Sequence, residues 1–109
     1  MKKVTRETAI KHEIRDYLQF NGWFVFHNLQ SLGSYKGIPD ITACKRGIVL
    51  FIEVKTPTGK QNENQIKFEN DITDAGCFYL VARGYEDVSK YILDRCDILA
   101  VEKKENCQE

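Results

Sequence analysis

Residues 39–55 read PDITACKRGIVLFIEVK, a segment that predicts two strands joined by a tight turn. Pro39 can open a strand but cannot occupy its middle, so the first strand is predicted over residues 40–44. The turn follows at 45–47, where a glycine is available for a positive φ. The second strand is predicted over residues 48–55, and most of it is apolar without alternation. A strand of that kind is covered on both faces and lies centrally in its sheet.

The segments on either side of this hairpin predict an α/β fold. Apolar residues at helical spacing and short apolar runs predict helices over about residues 5–20, 62–75 and 85–93, and strands over 23–27 and 77–82. The resulting order is helix, strand, strand, strand, helix, strand, which gives a mixed sheet flanked by helices. A short edge element over 97–101 is a small C-terminal addition that completes a single domain of residues 1–101. The charged segment 102–109 is expected to fray.

Charge is unevenly distributed along a chain whose formal net charge is zero. Residues 34–60 hold five basic side chains against two acidic ones, whereas residues 61–109 hold six basic against eleven acidic. The middle of the chain is therefore a basic island that contains two isolated carboxylates, Asp40 and Glu53. Such an island could hold a phosphate backbone while the acidic C-terminal half faces elsewhere.

Neither a membrane span nor an export signal is evident. No apolar run approaches the roughly 20 residues that cross a bilayer, and the basic N-terminus leads into no apolar segment typical of a signal peptide. We therefore expect no membrane partner and a cytoplasmic location. The four cysteines never form a C-x-x-C pair, so neither disulfides nor a zinc site is expected. Cys44 and Cys77 lie in apolar runs and are predicted to be buried.

Glu53 and Lys55 project from the same face of the second strand, because side chains alternate along a strand. An arbitrary E-x-K most often marks only a strand that ends at the surface. The presence of Asp40 favours a metal site. A two-residue loop at Arg46-Gly47 would place Asp40 opposite Glu53, where two like charges destabilise the sheet unless a cation lies between them. A three-residue loop would send Glu53 to the other face unless a bulge corrects it, and the sequence leaves both loops open.

These residue types suit the hydrolysis of a phosphodiester bond. The reaction needs a nucleophilic water, neutralisation of charge on the phosphoryl oxygens and stabilisation of the leaving oxygen. A Mg²⁺ ion held by Asp40 and Glu53 can supply the first two. Lys55 can orient the water, help to deprotonate it or neutralise the transition state. The sequence therefore predicts a metal-dependent nuclease centred on these three residues.

Two segments, Gly37-Ile38-Pro39-Asp40 and Phe51-Ile52-Glu53-Val54-Lys55-Thr56, resemble the signature of PD-(D/E)xK nucleases. More narrowly, the chain resembles the virus-type replication-repair nuclease (VRR-NUC) domain, small stand-alone versions of which occur in phages. The match covers roughly residues 5–90 and includes Glu7-x-x-Ile10-x-x-x-Ile14, Gly22, Thr58-Gly59-Lys60, Gln65-x-x-Phe68 and Gly76.

The resemblance implies a restriction-endonuclease-like core and divalent-metal-dependent cleavage of DNA in replication or repair. It implies Mg²⁺ as the cofactor, with Mn²⁺ as a substitute, and a bacterial host cell if the gene belongs to a phage. Stand-alone members are similar to Holliday-junction resolvases, which act on branched DNA as homodimers. The residues to which it assigns catalysis or metal binding are Asp40, Glu53, Lys55, Glu7 and Gln65, and the backbone carbonyl of Val54 is a further candidate metal ligand.

Simpler explanations compete for two of these residues. A glutamate in the first turn of a helix, such as Glu7, is favoured by the helix dipole alone. The spacing Asn62-x-x-Gln65 fits a variant of the capping box, in which Gln65 only closes the start of a helix. The sequence leaves both explanations open.

Four residues are candidate DNA contacts, namely Ser34, Lys36, Lys60 and His27. A solvated loop is the competing explanation for Ser34 and Lys36, and a hydrogen-bonded structural histidine is the competing explanation for His27. A nearby aromatic cluster more often forms a core or a dimer interface than a surface for stacking bases; its members are Tyr17, Phe20, Trp23, Phe24 and Phe26.

A second function class remains, a non-catalytic DNA-binding or assembly module on the same fold. It would keep the basic island and make the carboxylates incidental. Nothing in the sequence reads a 2′-hydroxyl, so it does not distinguish DNA from RNA. The preferred DNA structure, the number of metal ions and the oligomeric state are likewise not determined by the sequence.

Overall fold

In the computed structural model, which describes residues 5–95, the chain forms three helices and four strands. In chain order they are α1 (Arg6–Phe20), β1 (Phe24–His27), β2 (Ile41–Lys45), β3 (Ile48–Val54), α2 (Glu63–Asp74), β4 (Phe78–Ala82) and α3 (Tyr85–Leu93). The predicted order is confirmed, and every predicted end lies within about one residue of the observed one. The predicted edge element at 97–101 and the tail at 102–109 lie outside the described residues. No helix within 5–95 combines the length and the apolar character that a membrane span needs.

The turn between β2 and β3 contains two residues, the shorter of the two lengths that the sequence left open. Lys45 pairs with Ile48, which leaves only Arg46 and Gly47 in the loop. Their φ angles are 47° and 89°, and a positive φ at both central positions is the mark of a type I′ turn. Arginine is an unusual residue at such a φ, so sequence alone signalled this turn weakly.

The four strands lie in the order β1-β2-β3-β4. The first three strands are antiparallel, and β4 joins β3 in parallel. This change of direction requires a crossover, and α2 supplies it. As predicted, the apolar strand β3 lies inside the sheet, with hydrogen-bonded neighbours on both sides.

Helices cover both faces of the sheet. On one face α1 and α3 bury a core in which each fully buried Ile or Leu contributes about 1.5–3 kcal/mol; its members include Ile14, Leu18, Ile41, Leu50, Ile52, Leu80, Val88 and Ile92. On the other face α2 packs through Phe68, whose ring contacts Phe51 and Tyr79 at centroid distances of 5.5 and 6.3 Å. The alternation of side chains along β3 and β4 thus separates two apolar layers.

The structure corrects three expectations about burial. Cys44 and Cys77 are half-buried and do not belong to the core cluster. Lys45 is buried, and its Nζ donates to the carbonyl of Asn21 at 2.7 Å. This member of the basic island therefore binds a backbone carbonyl at the C-terminal end of α1.

The aromatic cluster is divided. Trp23 is buried, whereas Phe20, Phe24 and Phe26 are 91%, 68% and 43% exposed. These three residues therefore do not belong to the core of the described chain, and the other alternative, a dimer interface, stays a prediction. Phe24 and Phe26 lie on the edge strand β1, whereas α2 packs over β4 and against Phe51 of β3. Phe20 is the last residue of α1.

Candidate active site

Asp40 and Glu53 meet at one end of the β2–β3 hairpin. The register pairs Ile41 with Ile52, so the next step along each strand sets Asp40 opposite Glu53, as the two-residue loop requires. Asp40 is only 3% exposed, and its Oδ2 accepts a hydrogen bond from the N–H of Val54 at 2.7 Å. The structure therefore connects Val54 to the site through its N–H, and the role of its carbonyl as a metal ligand stays a prediction.

Glu53 is the more constrained of the two carboxylates. It is 2% exposed, and its Oε2 lies 3.3 Å from Lys55 Nζ and accepts from Gln65 Nε2 at 3.0 Å. Its other oxygen, Oε1, is buried and has no hydrogen-bond partner among the described residues. A buried carboxylate oxygen without a donor is costly, so this atom is available to a ligand that carries positive charge.

Burial raises the pKa of Glu53 to about 7, and the neighbouring charge of Asp40 adds to the effect. The positive charge of Lys55 and its hydrogen bond act in the opposite direction and offset part of the shift. Two carboxylates that share one site cannot both ionise cheaply, and a cation between them removes that penalty. The electrostatics of the pair therefore suit a divalent metal ion.

Replacing Glu53 should stabilise the metal-free protein at neutral and alkaline pH. The pKa of Glu53 is about 7 in the folded protein and 4.5 ordinarily, so the folded state holds this proton more tightly than the unfolded state does. The contribution of Glu53 to stability is therefore complete below about pH 4.5 and is lost as the pH rises through 7. Glu53→Gln keeps the shape and cannot ionise. At pH 8 in EDTA we expect it to raise the free energy of unfolding by about 2–3 kcal/mol over wild type, with no gain near pH 4.

Urea unfolding between pH 4 and 8.5, in EDTA throughout, measures this difference. Glu13→Gln, on the exposed face of α1, removes one carboxylate of the same type without the burial and is the matched control. Parallel stability curves for wild type and Glu53→Gln over the whole pH range would contradict the prediction.

Gln65 forms the capping box that the sequence allowed and also contacts Glu53, while its part in catalysis stays a prediction. Its backbone N–H donates to Asn62 Oδ1 and its Oε1 accepts from the Asn62 N–H, each at 2.9 Å, which completes a capping box at the start of α2. Its Nε2 remains free to bond Glu53. The helix cap therefore fixes the orientation of the amide that holds one oxygen of Glu53.

Lys11 is the residue at this site that the sequence analysis missed. Its Nζ lies 3.0 Å from Asp40 Oδ1 and 3.8 Å from Glu7 Oε1. Glu7 and Lys11 form an ordinary i,i+4 pair on α1, and only the tertiary structure reveals that the lysine also reaches Asp40. Lys11 compensates the charge of Asp40 much as Lys55 compensates that of Glu53.

The site opens into a cleft of about 440 Å³ between α1, α2 and the segment 28–40. Glu7, Asp40, Glu53 and Lys55 line it, and so do Ser34 and Lys36 among the predicted DNA contacts. The other two predicted contacts, Lys60 and His27, are exposed but do not belong to its lining. Partial burial and the nearby positive side chains of α1 lower the pKa of His27.

The donor set fits a magnesium-type ion with water completing its coordination. Within residues 5–95 no three His, Cys, Asp or Glu side chains lie close enough together to form a metal-binding group, so Glu7 does not join Asp40 and Glu53 as a third close carboxylate. Mg²⁺ is usually held by one or two carboxylates, with waters and phosphate supplying the remaining ligands. The unpartnered Oε1 of Glu53 beside Asp40 meets that requirement.

Comparisons with known proteins identify the family and the fold. A family model described as archaeal Holliday junction resolvase (Hjc) matches residues 2–75. A solved structure described as a VRR_NUC domain is similar with a TM-score of 0.70 and 24% identity, over 81% of this chain and 95% of that chain. Another, described as a VRR_NUC domain protein, has a TM-score of 0.67 and 18% identity, over 88% of this chain and 92% of that one. No curated protein matches significantly. The structural likenesses confirm the predicted fold.

Proposed function

The chain belongs to the archaeal Holliday junction resolvase (Hjc) family of nucleases, and on this basis we propose that it is a divalent-metal-dependent endonuclease that cuts branched DNA. The observation that carries the proposal is the pairing of two buried carboxylates, Asp40 and Glu53, with Lys55 at the wall of an open cleft. A purely structural pair of buried acids would have both carboxylates fully hydrogen-bonded. Here one oxygen of Glu53 has no partner among the described residues.

Each residue has a distinct part in the proposed reaction. Asp40 and Glu53 would hold the metal ion, which when bound polarises the phosphoryl oxygens and lowers the pKa of a water. Lys55, 3.3 Å from Glu53, can orient the attacking water and neutralise charge that develops on the phosphoryl group. Gln65 donates its amide to Glu53 Oε2, which would leave Oε1 to hold the metal ion. Glu7 would contribute through a bound water.

We also propose that the active enzyme is a homodimer, formed through the exposed edge of the sheet. In the sheet formed by residues 5–95, β1 is an edge strand, and Phe24 and Phe26 project together from it with ring centroids 5.8 Å apart. An unpaired strand edge with exposed aromatic residues is prone to associate. A second copy of the chain would cover it and would bring two active sites to one branched DNA. We propose that this cleavage takes place in the cytoplasm, during DNA replication or repair.

The test is a cleavage assay on a labelled four-way junction and a linear duplex of the same sequence, with Mg²⁺, Mn²⁺ or EDTA. We expect cuts on opposing strands of the junction, at least about tenfold faster than cuts in the duplex, and no cutting in EDTA. Sedimentation of the same sample should give the mass of two chains. Binding of the junction without cutting, in every metal, would contradict the proposal and favour a non-catalytic DNA-binding module.

A further inference from the structure

The segment between β1 and β2 carries apolar side chains that the described chain leaves largely exposed. Leu29 is 76% exposed, Leu32 is 104% exposed and Tyr35 is 64% exposed. Leu32 and Tyr35 line the same cleft as Asp40 and Glu53. Apolar residues scattered singly over a surface are ordinary, but apolar residues grouped on the wall of a polar, reactive cleft mark a site of interaction.

This segment is anchored at its base. The Asn28 side-chain amide donates to the carbonyl of Pro39 at 3.0 Å, and Gln30 Nε2 donates to the carbonyl of Ile38 at 2.7 Å. Near its C-terminal end, Gly37 lies against the first turn of α2, where its missing side chain permits contact with the backbone of Asn64. The exposed residues therefore stand on a loop whose two ends are held together.

A second cavity, of about 770 Å³, is lined in part by residues 33–36 of this loop, which also line the catalytic cleft. Tyr35 and Phe68 form its aromatic wall, with ring centroids 5.8 Å apart and an interplanar angle of 70°. Asn64, Lys67 and Asp71 supply polar groups to its lining. An aromatic surface flanked by an amide, an ammonium and a carboxylate suits a nucleobase, which has an apolar face and hydrogen-bonding edges.

We propose that this loop is the element that selects the substrate: Leu32 inserts at a branch or strand end, and the Tyr35–Phe68 cavity receives the base that is unstacked there. The proposal rests on the proposed nuclease function and specifies its substrate class as DNA with unpaired bases beside the cleaved phosphate. Within a continuous duplex every base is stacked, and taking one out costs a few kcal/mol. At a branch with unpaired bases, those bases are already unstacked. Inserting an apolar side chain there therefore avoids the cost of unstacking.

Charge on the loop is compatible with this partner. Residues 28–39 contain no acidic residue and one lysine, Lys36, which lines both the catalytic cleft and the second cavity. The loop can therefore approach two phosphate backbones without repulsion. The shared lining residues place the second cavity next to the catalytic cleft.

The experiment measures the affinities of Glu53→Gln protein in EDTA, where no DNA is cut, for a splayed-arm DNA and for a duplex of the same length. Fluorescence anisotropy at one fixed salt concentration gives both dissociation constants. We expect Leu32→Ala and Tyr35→Ala each to lower the preference for splayed-arm DNA by about tenfold, with duplex affinity unchanged. Leu32 is fully exposed, so its replacement does not endanger the fold.

Two matched controls accompany these variants. Tyr35→Phe keeps the ring and should keep the preference, and Leu93→Ala removes an exposed leucine at the end of α3, away from the cleft. An unchanged preference in both Leu32→Ala and Tyr35→Ala overturns the inference while leaving the nuclease proposal intact. An equal loss of affinity for both DNAs, together with a fall in molecular mass on sedimentation, would assign the loop to a contact between two copies of the chain. That result would also overturn the inference. No binding to either DNA contradicts both proposals.

Discussion

Lys55→Ala is expected to lower the rate of DNA cleavage by about 10³-fold or more, the largest effect of any single lysine replacement in the chain. Its Nζ lies 3.3 Å from Glu53 Oε2, and its side chain is only 16% exposed. No other described lysine contacts Glu53. Removing it takes away the group proposed to orient water and also leaves Glu53 more reluctant to ionise, because the positive charge that lowers the pKa of Glu53 is gone.

The control is Lys60→Ala, five residues further along the chain. Lys60 is exposed and lies outside the lining of the cleft. It has the same charge, so a loss of general electrostatic attraction to DNA would affect both variants alike. Single-turnover rates on a four-way junction at saturating protein should show Lys60→Ala within about threefold of wild type. Comparable losses in the two variants would mean that Lys55 acts only as a positive charge on the surface.

Gly37→Ala is expected to destabilise the fold by about 2–4 kcal/mol and to weaken the site as well. Gly37 has a φ of +82°, and a Cβ built on it would lie 2.1 Å from the carbonyl oxygen of Asn64 and 2.5 Å from its carbon. Both are backbone atoms in the first turn of α2, so the helix itself must move. The next residue, Gln65, donates to Glu53, and its displacement would release the buried carboxylate.

Gly33→Ala separates the contribution of backbone strain to this destabilisation from the contribution of steric overlap. Gly33 has a φ of +96°, but nothing lies within 4 Å of a Cβ built there, so only the backbone strain of about 1–2 kcal/mol applies. Urea unfolding of both variants, with wild type alongside, gives the steric contribution as their difference. If Gly37→Ala costs no more than Gly33→Ala, the close approach of the loop to α2 is not a constraint on the fold.

The order of helices and strands was accessible from sequence because it depends on local patterns. The continuous apolar run of β3 predicted a central strand, and Gly22 and Gly76 marked the ends of two helices. The fold class followed, since a parallel neighbour for β3 needs a crossover and one helix was available to make it. The pairing of Glu53 with Lys55 was equally local, because two residues on one strand separated by one position share a face.

The tertiary structure alone decided how Asp40 meets Glu53. That contact depends on whether the hairpin loop has two or three residues, and an arginine at positive φ gives little local signal for either. Burial behaves in the same way, since it depends on which helix covers which strand. Lys45 is buried under the end of α1, whereas Phe24 and Phe26 lie on an uncovered edge.

Sequence by itself therefore determined which residues are candidates for the chemistry, and the tertiary structure decided which of them lie close together. The ion pair of Lys11 with Asp40 joins α1 to the start of β2, across 29 positions of sequence, and no periodic pattern links the two. The unpartnered oxygen of Glu53 is likewise a property of the folded chain, because it depends on burial and on the absence of a hydrogen-bond donor nearby among the described residues. Local patterns follow from backbone geometry a few residues at a time, whereas contacts, desolvation and pKa values arise from atoms that are near in space and distant along the chain.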